Sequence, residues 1–475
     1  MDQQQPRAGA SGKAPFGSSA LARFRQDFRG DLIWPGDAAY DAARRVWNGA
    51  VDRRPALIAY CGDAQDVVAA VALARSQRGA VAVRSGGHNV AGLSVCDDGL
   101  VIDLSRMKTI TVDPVRRIAR AEAGLSLGEF DAATQAHGLA TTMGVNSDTG
   151  IAGLTLGGGF GKLGRKFGLT CDNLIAAEIV VADGRLIRAS ASEHPDLFWG
   201  LRGGGGNFGI VTAFEYALHP VGPALLVGSV LHRYDQAHEA MRFYETFARQ
   251  APDEVSADAA LFSTPSGERF FSVSACYVGP AALGEPVLAP LLRFGRPVES
   301  SLAALPYLQI QSKGDSLFPR GRRYYWKAQF LDAIGDGAID ALLAHFARAP
   351  SASSLLVFQQ VGGAIARVGR AQSPYANRDA LYDCFPLAIW DDPAADEANI
   401  EWARALWNAV RPYGTGGVYA NNLGDEGDDR VRDAYGDNHA RLVALKTRYD
   451  PSNLFRLNQN IRPSSAASQT DRLPA

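Results

Sequence analysis

Val83-Arg84-Ser85-Gly86-Gly87-His88-Asn89 is the stretch on which the fold turns. A short β-rich run, 80–84, stops at once in two glycines and a histidine. A chain leaving a strand into Gly-Gly can curl so that successive N–H groups point inward, and such a nest holds phosphate without any lysine. Glycine has no Cβ, so a pyrophosphate or a flat ring can lie against the main chain. Taken alone, the run is better read as a tight turn. Two further runs change the balance: Gly150-Ile151-Ala152-Gly153-Leu154-Thr155-Leu156-Gly157-Gly158-Gly159-Phe160-Gly161, and Arg202-Gly203-Gly204-Gly205-Gly206-Asn207-Phe208-Gly209-Ile210-Val211-Thr212. Three such runs in one chain argue for a ligand laid against the backbone.

Residues 204–209 and 159–164 both match GxGxxG. A dinucleotide fingerprint of that form follows a strand and opens a helix. Ile210-Val211-Thr212-Ala213-Phe214 is strand-like instead, and Arg165-Lys166-Phe167-Gly168 leads to no acidic residue at the end of a second strand. A Rossmann site is excluded on context.

The rest of the composition narrows the function classes. The chain has 475 residues, enough for more than one compact unit, and 47% are hydrophobic. A net charge of -2 gives no footprint for nucleic acid or for an anionic membrane surface. Cys61, Cys96, Cys171, Cys276 and Cys384 are scattered, odd in number and free of CxxC spacing, so neither a disulfide framework nor a metal site is expected. No apolar run is long enough to span a membrane, and the first twenty residues lack the apolar core of a secretory signal. A cytoplasmic protein acting on a small molecule is the expectation; oligomeric state leaves no trace in the sequence.

Organisation along the chain points to an α+β protein of two domains. Residues 1–23 read as a disordered tail. From 24 to 216, short strands (80–84, 100–104, 118–121, 175–182) alternate with helices, one at 63–75 and one opened by the capping box Ser126/Glu129. Between 217 and 410 the texture changes. The run 269–278 alternates, with Phe271, Val273, Ala275 and Tyr277 on one face, and 324–330 and 355–361 read similarly. Helices at 238–250, 338–348 and 393–410 separate such runs, as in an antiparallel sheet covered by helices. Residues 411–475 are motif-dense again and are expected to return to the first domain, making it discontinuous.

Together these residues resemble the vanillyl-alcohol-oxidase type of FAD-binding fold, in its berberine-bridge-enzyme-like branch. The resemblance runs from about 25 to 463. It is carried by Arg84-Ser85-Gly86-Gly87-His88-Asn89, by Gly157-Gly158-Gly159-Phe160-Gly161, by Asn207-Phe208-Gly209-Ile210-Val211-Thr212, and by the ending Tyr449-Asp450-Pro451-Ser452-Asn453-Leu454-Phe455-Arg456-Leu457-Asn458-Gln459-Asn460-Ile461. Bacterial oxidases of 6-hydroxy-nicotine and tailoring oxidases of secondary metabolism look similar. The resemblance implies FAD as cofactor, with 84–89 around the pyrophosphate and His88 joined to the flavin 8α-methyl. It also implies flavin contacts at Asn146, Thr149, Gly150, Gly153, Gly158, Gly159, Gly161, Asn207, Gly209, Ile210, Val211, Asn458 and Asn460. Bicovalent relatives have a cysteine where this chain has Asn146, so a single link is expected. Thr149 stands where the family controls oxygen access, and its small side chain implies O2 as acceptor.

For catalysis the resemblance singles out Tyr419 and Asn421, a Tyr-x-Asn motif facing the flavin; a strand at 416–421 would put both on one face. A free tyrosine ionises near pH ~10, so a base role calls for a nearby cation, with Lys327, Arg322 and Arg323 as candidates. Many relatives carry a carboxylate on the strand matching 355–361, whereas this chain offers Gln359, which weakens the case for an amine cation as substrate. Alternation places Tyr325 and Lys327 together, and the aromatic content of 324–327 hints at an aromatic or polycyclic substrate. The expected reaction is oxidation of a C–H bond by hydride transfer to flavin N5, with an oxygenase working through an oxygenated flavin as the alternative. A non-catalytic flavin-binding protein is the alternative of another class.

Overall fold

Arg84 ends a strand, Val81–Arg84, that runs parallel to Leu100–Asp103, which in turn runs parallel to Leu57–Tyr60; Asp31–Ile33 adds an antiparallel edge. The helix Ala64–Arg75 carries the chain from Leu57–Tyr60 over to Val81–Arg84, and residues 85–99 bring it back to Leu100–Asp103, which lies between those two strands. Asp63 caps that helix by accepting from the N–H groups of Gln65 and Asp66, and Val67, Ala70, Val71 and Ala74 are its buried face. The computed structural model describes residues 16–76 and 79–464.

A second, fully antiparallel sheet has the order Ile110–Asp113, Ile118–Glu122, Gly209–Ala217, Leu174–Val181, Leu186–Ser190. Gly209 opens a strand rather than a helix, the context that excluded a Rossmann reading. Ser126 and Glu129 form the capping box of the helix Leu127–Gln135.

The third sheet has eight strands. Its path runs Glu299–Pro306, Ala224–Arg233, Arg269–Tyr277, Val255–Ser263, Leu355–Gln360, Tyr382–Trp390, Arg323–Trp326, with Gln329–Leu331 also on Tyr382–Trp390. Helices Ala237–Gln250, Ala281–Arg293, Asp336–Phe346 and Asp396–Val410 bury one face of it in a single core with Phe271, Val273, Ala275 and Tyr277. The opposite face, with Val357, Gln359, Phe385 and Leu387, is turned toward the glycine runs of the first part.

The last segment is tied back by a buried ion. Lys446, on the helix His439–Tyr449, donates to Asp450 (2.7 Å) and to the carbonyls of Asn207 and Phe455 (both 2.8 Å). Asn207 completes the tie: its amide donates to Gln459 O (3.1 Å) and its side-chain oxygen accepts from Ile461 N (2.9 Å). No helix of the described residues is long and apolar enough to cross a membrane.

Three local expectations are corrected. The helix Ser18–Asp27 starts inside the expected tail, because Leu21 and Phe24 find a buried place in the main core; residues 1–15 lie outside the described residues. The run 324–330 is two strands, not one. The break falls at Lys327-Ala328, where the Ala328 carbonyl accepts from Trp407 Nε1 (3.2 Å) and Arg430 Nη2 (3.1 Å) instead of joining the ladder. Residues 416–421 form no strand: Tyr419 leads into the 3-10 turn Ala420–Asn422.

Candidate active site

The glycine runs and the inner face of the eight-stranded sheet enclose a cavity of about 420 Å³. Its lower wall is backbone: Ser85, Gly86, Gly87, His88, Asn89, Gly150, Gly153, Gly206, Gly209, Ile210 and Val211 all line it. Gly86 and Gly150 are glycines because the two runs touch. A Cβ on Gly86 would stand 2.3 Å from Gly150 N, and one on Gly150 would stand 2.3 Å from Gly86 N. Gly153 and Gly206 differ: a Cβ on either meets nothing within 4 Å and would only fill the cavity. Backbone N–H groups of Gly86, Gly87, His88 and Asn89 donate to no protein acceptor among the described residues. A row of free N–H donors beside open glycine is what a dinucleotide pyrophosphate and a flat ring require, so the wall fits FAD.

His88 sits in this wall with its side chain 16% exposed. Its ring stacks on Trp47 (centroids 4.3 Å, 22° between planes), and Nε2 lies 3.0 Å from Asp148 Oδ1. Arg320 donates to Asp148 Oδ2 (2.9 Å) and to Gly86 O (2.7 Å). Burial works to raise the Asp148 carboxyl, but the His88 hydrogen bond and charge, with Arg320, outweigh it and hold it below the usual carboxylate range.

Tyr419 is buried at the far wall, its ring against Phe160 (4.6 Å) and Tyr375 (5.9 Å). Its hydroxyl oxygen accepts from Gly159 N and from Asn421 Nδ2, both at 2.8 Å. Burial nonetheless pushes the phenol above its ordinary value, against those two donors. Each of the three candidate cations is engaged elsewhere. Lys327 is paired with Glu426 and lies 4.2 Å from the Trp407 ring centroid; Arg322 is paired with Asp391 and Arg323 with Asp396.

Around Tyr419 the lining is Phe160, Trp326, Val357, Gln359, Phe385, Leu387 and Asn422, with Phe318 nearer His88. Among the described residues, no Asp, Glu, Lys or Arg lines the cavity. Asp383, just behind Asn422, accepts from its amide, and burial pushes the Asp383 carboxyl up to about 8, which favours its protonated form at neutral pH.

The chain matches the model of an FAD binding domain over residues 55–190 and that of berberine and berberine-like proteins over 418–462. It is 33% identical to the FAD-linked oxidoreductase YgaK of Bacillus subtilis, covering 91% of this chain and 97% of that one. It is 32% identical to (R)-6-hydroxynicotine oxidase of Paenarthrobacter nicotinovorans, over 92% and 98% of the two chains. The chain belongs to the berberine-bridge-enzyme-like family of FAD-linked oxidoreductases. The crystal structure of 6-hydroxy-D-nicotine oxidase from Arthrobacter nicotinovorans superposes with a TM-score of 0.86 at 28% identity, covering 92% of this chain and 98% of that one. The fold is accordingly of the vanillyl-alcohol-oxidase type.

Within this berberine-bridge-enzyme-like protein, Ser85, Gly86, Gly87, His88, Asn89, Asn146, Thr149, Gly150, Gly153, Gly209, Ile210, Val211, Asn458, Gln359, Tyr419 and Asn421 line one cavity. Others singled out from the sequence do not. Arg84 stands behind the loop, paired with Asp103 and donating to Ala43 O (2.7 Å), because its side chain points away from the nest it precedes. Gly158, Gly159 and Gly161 shape the turn beyond the wall; a Cβ on Gly161 would stand 2.1 Å from Met143 O. Asn207 is spent on the 459–461 segment, and Asn460 is not part of the lining. Tyr325 and Lys327 face the helix Asp396–Val410 instead, where Arg404 donates to the Tyr325 hydroxyl (3.0 Å); Trp326 is the residue of that strand that reaches the cavity.

Trp47, Asp148 and Arg320 escaped the sequence reading. Asp148 adjoins Thr149, the only local hint, whereas Trp47 and Arg320 come from distant segments with no motif.

Proposed function

We propose that this FAD-linked oxidoreductase holds its flavin by a single bond from His88 and oxidises a small, uncharged aromatic or polycyclic molecule, with O2 taking the electrons. The observation that carries the substrate class is the lining: aromatic and aliphatic side chains with a few amides and, among the described residues, no charged group on the substrate side of the cavity. A cationic amine or an anionic acid would be desolvated there without a partner, at a cost of several kcal/mol. Gln359, whose amide has no protein partner among the described residues, supplies a neutral donor and acceptor for a hydroxyl or carbonyl. Asn146, standing where a second covalent link would need a cysteine, supports a single attachment.

Bound flavin supplies the two-electron acceptor for the substrate C–H hydride. The chain's part is to hold the substrate flat between Trp326, Phe385 and Tyr419, to exclude water, and to manage one proton at the Tyr419 oxygen. The donors Gly159 N–H and Asn421 Nδ2 stabilise negative charge on that oxygen, while burial opposes it. Below its raised pKa the tyrosinate fraction falls tenfold per pH unit. If Tyr419 takes the proton of a substrate hydroxyl, kcat/KM therefore climbs with pH through neutrality without a plateau below pH ~10. Tyr419→Phe is expected to lower kcat about 10²-fold, to flatten that climb and to leave flavin loading unchanged. Stopped-flow reduction of the flavin across pH checks this; a variant that keeps the wild-type slope rules Tyr419 out as the base.

Thr149 supports O2 as the acceptor. It lines the cavity, and its hydroxyl has no protein partner among the described residues. Release of one H2O2 per product is expected. Label from 18O2 found in the product would mark the protein as an oxygenase instead.

A further inference from the structure

The proposed reaction gives no role to three groupings of side chains: the Asp383–Asn422 pair, the exposed edge strand Glu299–Pro306, and the Asp148–Arg320 pair against His88. Geometry carries the third furthest. We propose that Asp148, held by Arg320, is the positioning residue for flavin attachment: it sets the orientation and tautomer of His88 from which the bond to the flavin 8α carbon forms. The inference rests on the histidyl link proposed above.

The tautomer follows from the hydrogen bond. Asp148 is held in its ionised form and can only accept, so in the neutral form of the His88 ring the proton sits on Nε2, 3.0 Å from Asp148 Oδ1. Nδ1 is then the nitrogen with the lone pair, and it has no protein partner among the described residues. The stack on Trp47 sets the plane of the ring, and Trp47 is itself pinned, Nε1 donating to Phe318 O (3.0 Å).

Asp148 is placed in turn by a strap from the second part of the chain. Asp315 accepts from Ser147 N (2.9 Å), and Arg320 clamps both Asp148 Oδ2 and Gly86 O. A strap made of 315–320 thus reaches across to the flavin loop, so His88 acquires its orientation only when the two parts of the chain are docked.

In the bond-forming step the Nδ1–C8α bond forms and one 8α C–H bond breaks, its proton leaving to solvent. The imidazolium produced is paired with Asp148 until the Nε2 proton is lost. The electron pair remaining on the flavin passes to O2, the oxidant, which leaves as H2O2. Asparagine at 148 would turn an NH2 group toward Nε2, force the ring proton onto Nδ1 and remove the nucleophile.

The test compares full-length wild type, Asp148→Asn and Asp148→Glu, incubated with FAD in air. It measures total bound flavin, acid-stable flavin over time, and the isomer of the histidyl-flavin isolated from wild type by proteolysis and NMR. Expected are the Nδ1 isomer in wild type, roughly tenfold or slower acid-stable loading in Asp148→Asn with dissociable FAD still bound, and recovery in Asp148→Glu. An Nε2 isomer overturns the inference whatever the variants do, as does Asp148→Asn linking flavin at the wild-type rate. Wild type with no acid-stable flavin sinks the histidyl reading itself, and the inference with it.

Discussion

Replacing Lys446 with methionine is expected to destabilise the protein by about 3–5 kcal/mol, because the change leaves a buried carboxylate without its partner. Both side chains of the Lys446–Asp450 pair are fully buried. The ammonium has three donors, and all three are used: Asp450, Asn207 O and Phe455 O. Methionine matches the length of the lysine stem but supplies none of these bonds. Asp450 retains the N–H groups of Leu454 (2.8 Å) and Phe455 (2.9 Å), which soften the loss without neutralising the charge. The injury is local to the place where the last segment meets the Gly206-Asn207 turn of the cavity wall, so weaker flavin retention should accompany it. Urea denaturation of wild type and variant at pH 7 measures the difference. A loss under 1 kcal/mol would mean that the pair contributes no more than a surface ion pair.

Gly153→Leu is expected to do the opposite: to spare the fold and empty the site. Gly153 lies in the helix Ile151–Gly157, lines the cavity, and would place a Cβ in open space. Leucine also has the better helix propensity, by somewhat less than the ~0.8–1 kcal/mol that separates glycine from alanine, so the apoprotein should melt no lower than wild type. Its isobutyl group would occupy volume that the cofactor needs. Overpacking costs typically ~1–3 kcal/mol, which converts to roughly 5- to 150-fold weaker FAD binding. Loading is read from the flavin absorbance of the purified protein, with the apoprotein melt as control. Full loading at wild-type affinity would place the flavin away from this wall.

What the sequence disclosed, and what it withheld, separates along a physical line. Motifs whose chemistry is local came through: the strand-to-glycine nest at 84–89, the capping box at Ser126 and Glu129, and the strand that follows Gly209 all depend on neighbours a few residues away. Facing directions did not always follow. Alternation put Tyr325 and Lys327 on a common face, but which face meets the cavity was decided by the helix Asp396–Val410, about seventy residues on. Arg84 failed for a related reason: a cation beside a phosphate nest invites a phosphate role, yet a buried Asp103 from the neighbouring strand claims it. Tyr419 and Asn421 reached the cavity although their segment is a 3-10 turn and not a strand, with Asn421 bonded to the Tyr419 hydroxyl. The Trp47–His88–Asp148–Arg320 arrangement is assembled from four segments spread over most of the chain, and no spacing rule brings them together.

The single attachment of FAD through His88 underlies the proposed function, and intact mass with the visible spectrum after acid denaturation tests it most directly. Wild type should keep a yellow polypeptide heavier by one FAD, and His88→Ala should lose both the mass and the colour on acid treatment. A colourless acid pellet with the bare polypeptide mass from wild type would contradict the account, and so would a His88→Ala protein that still carries the added mass.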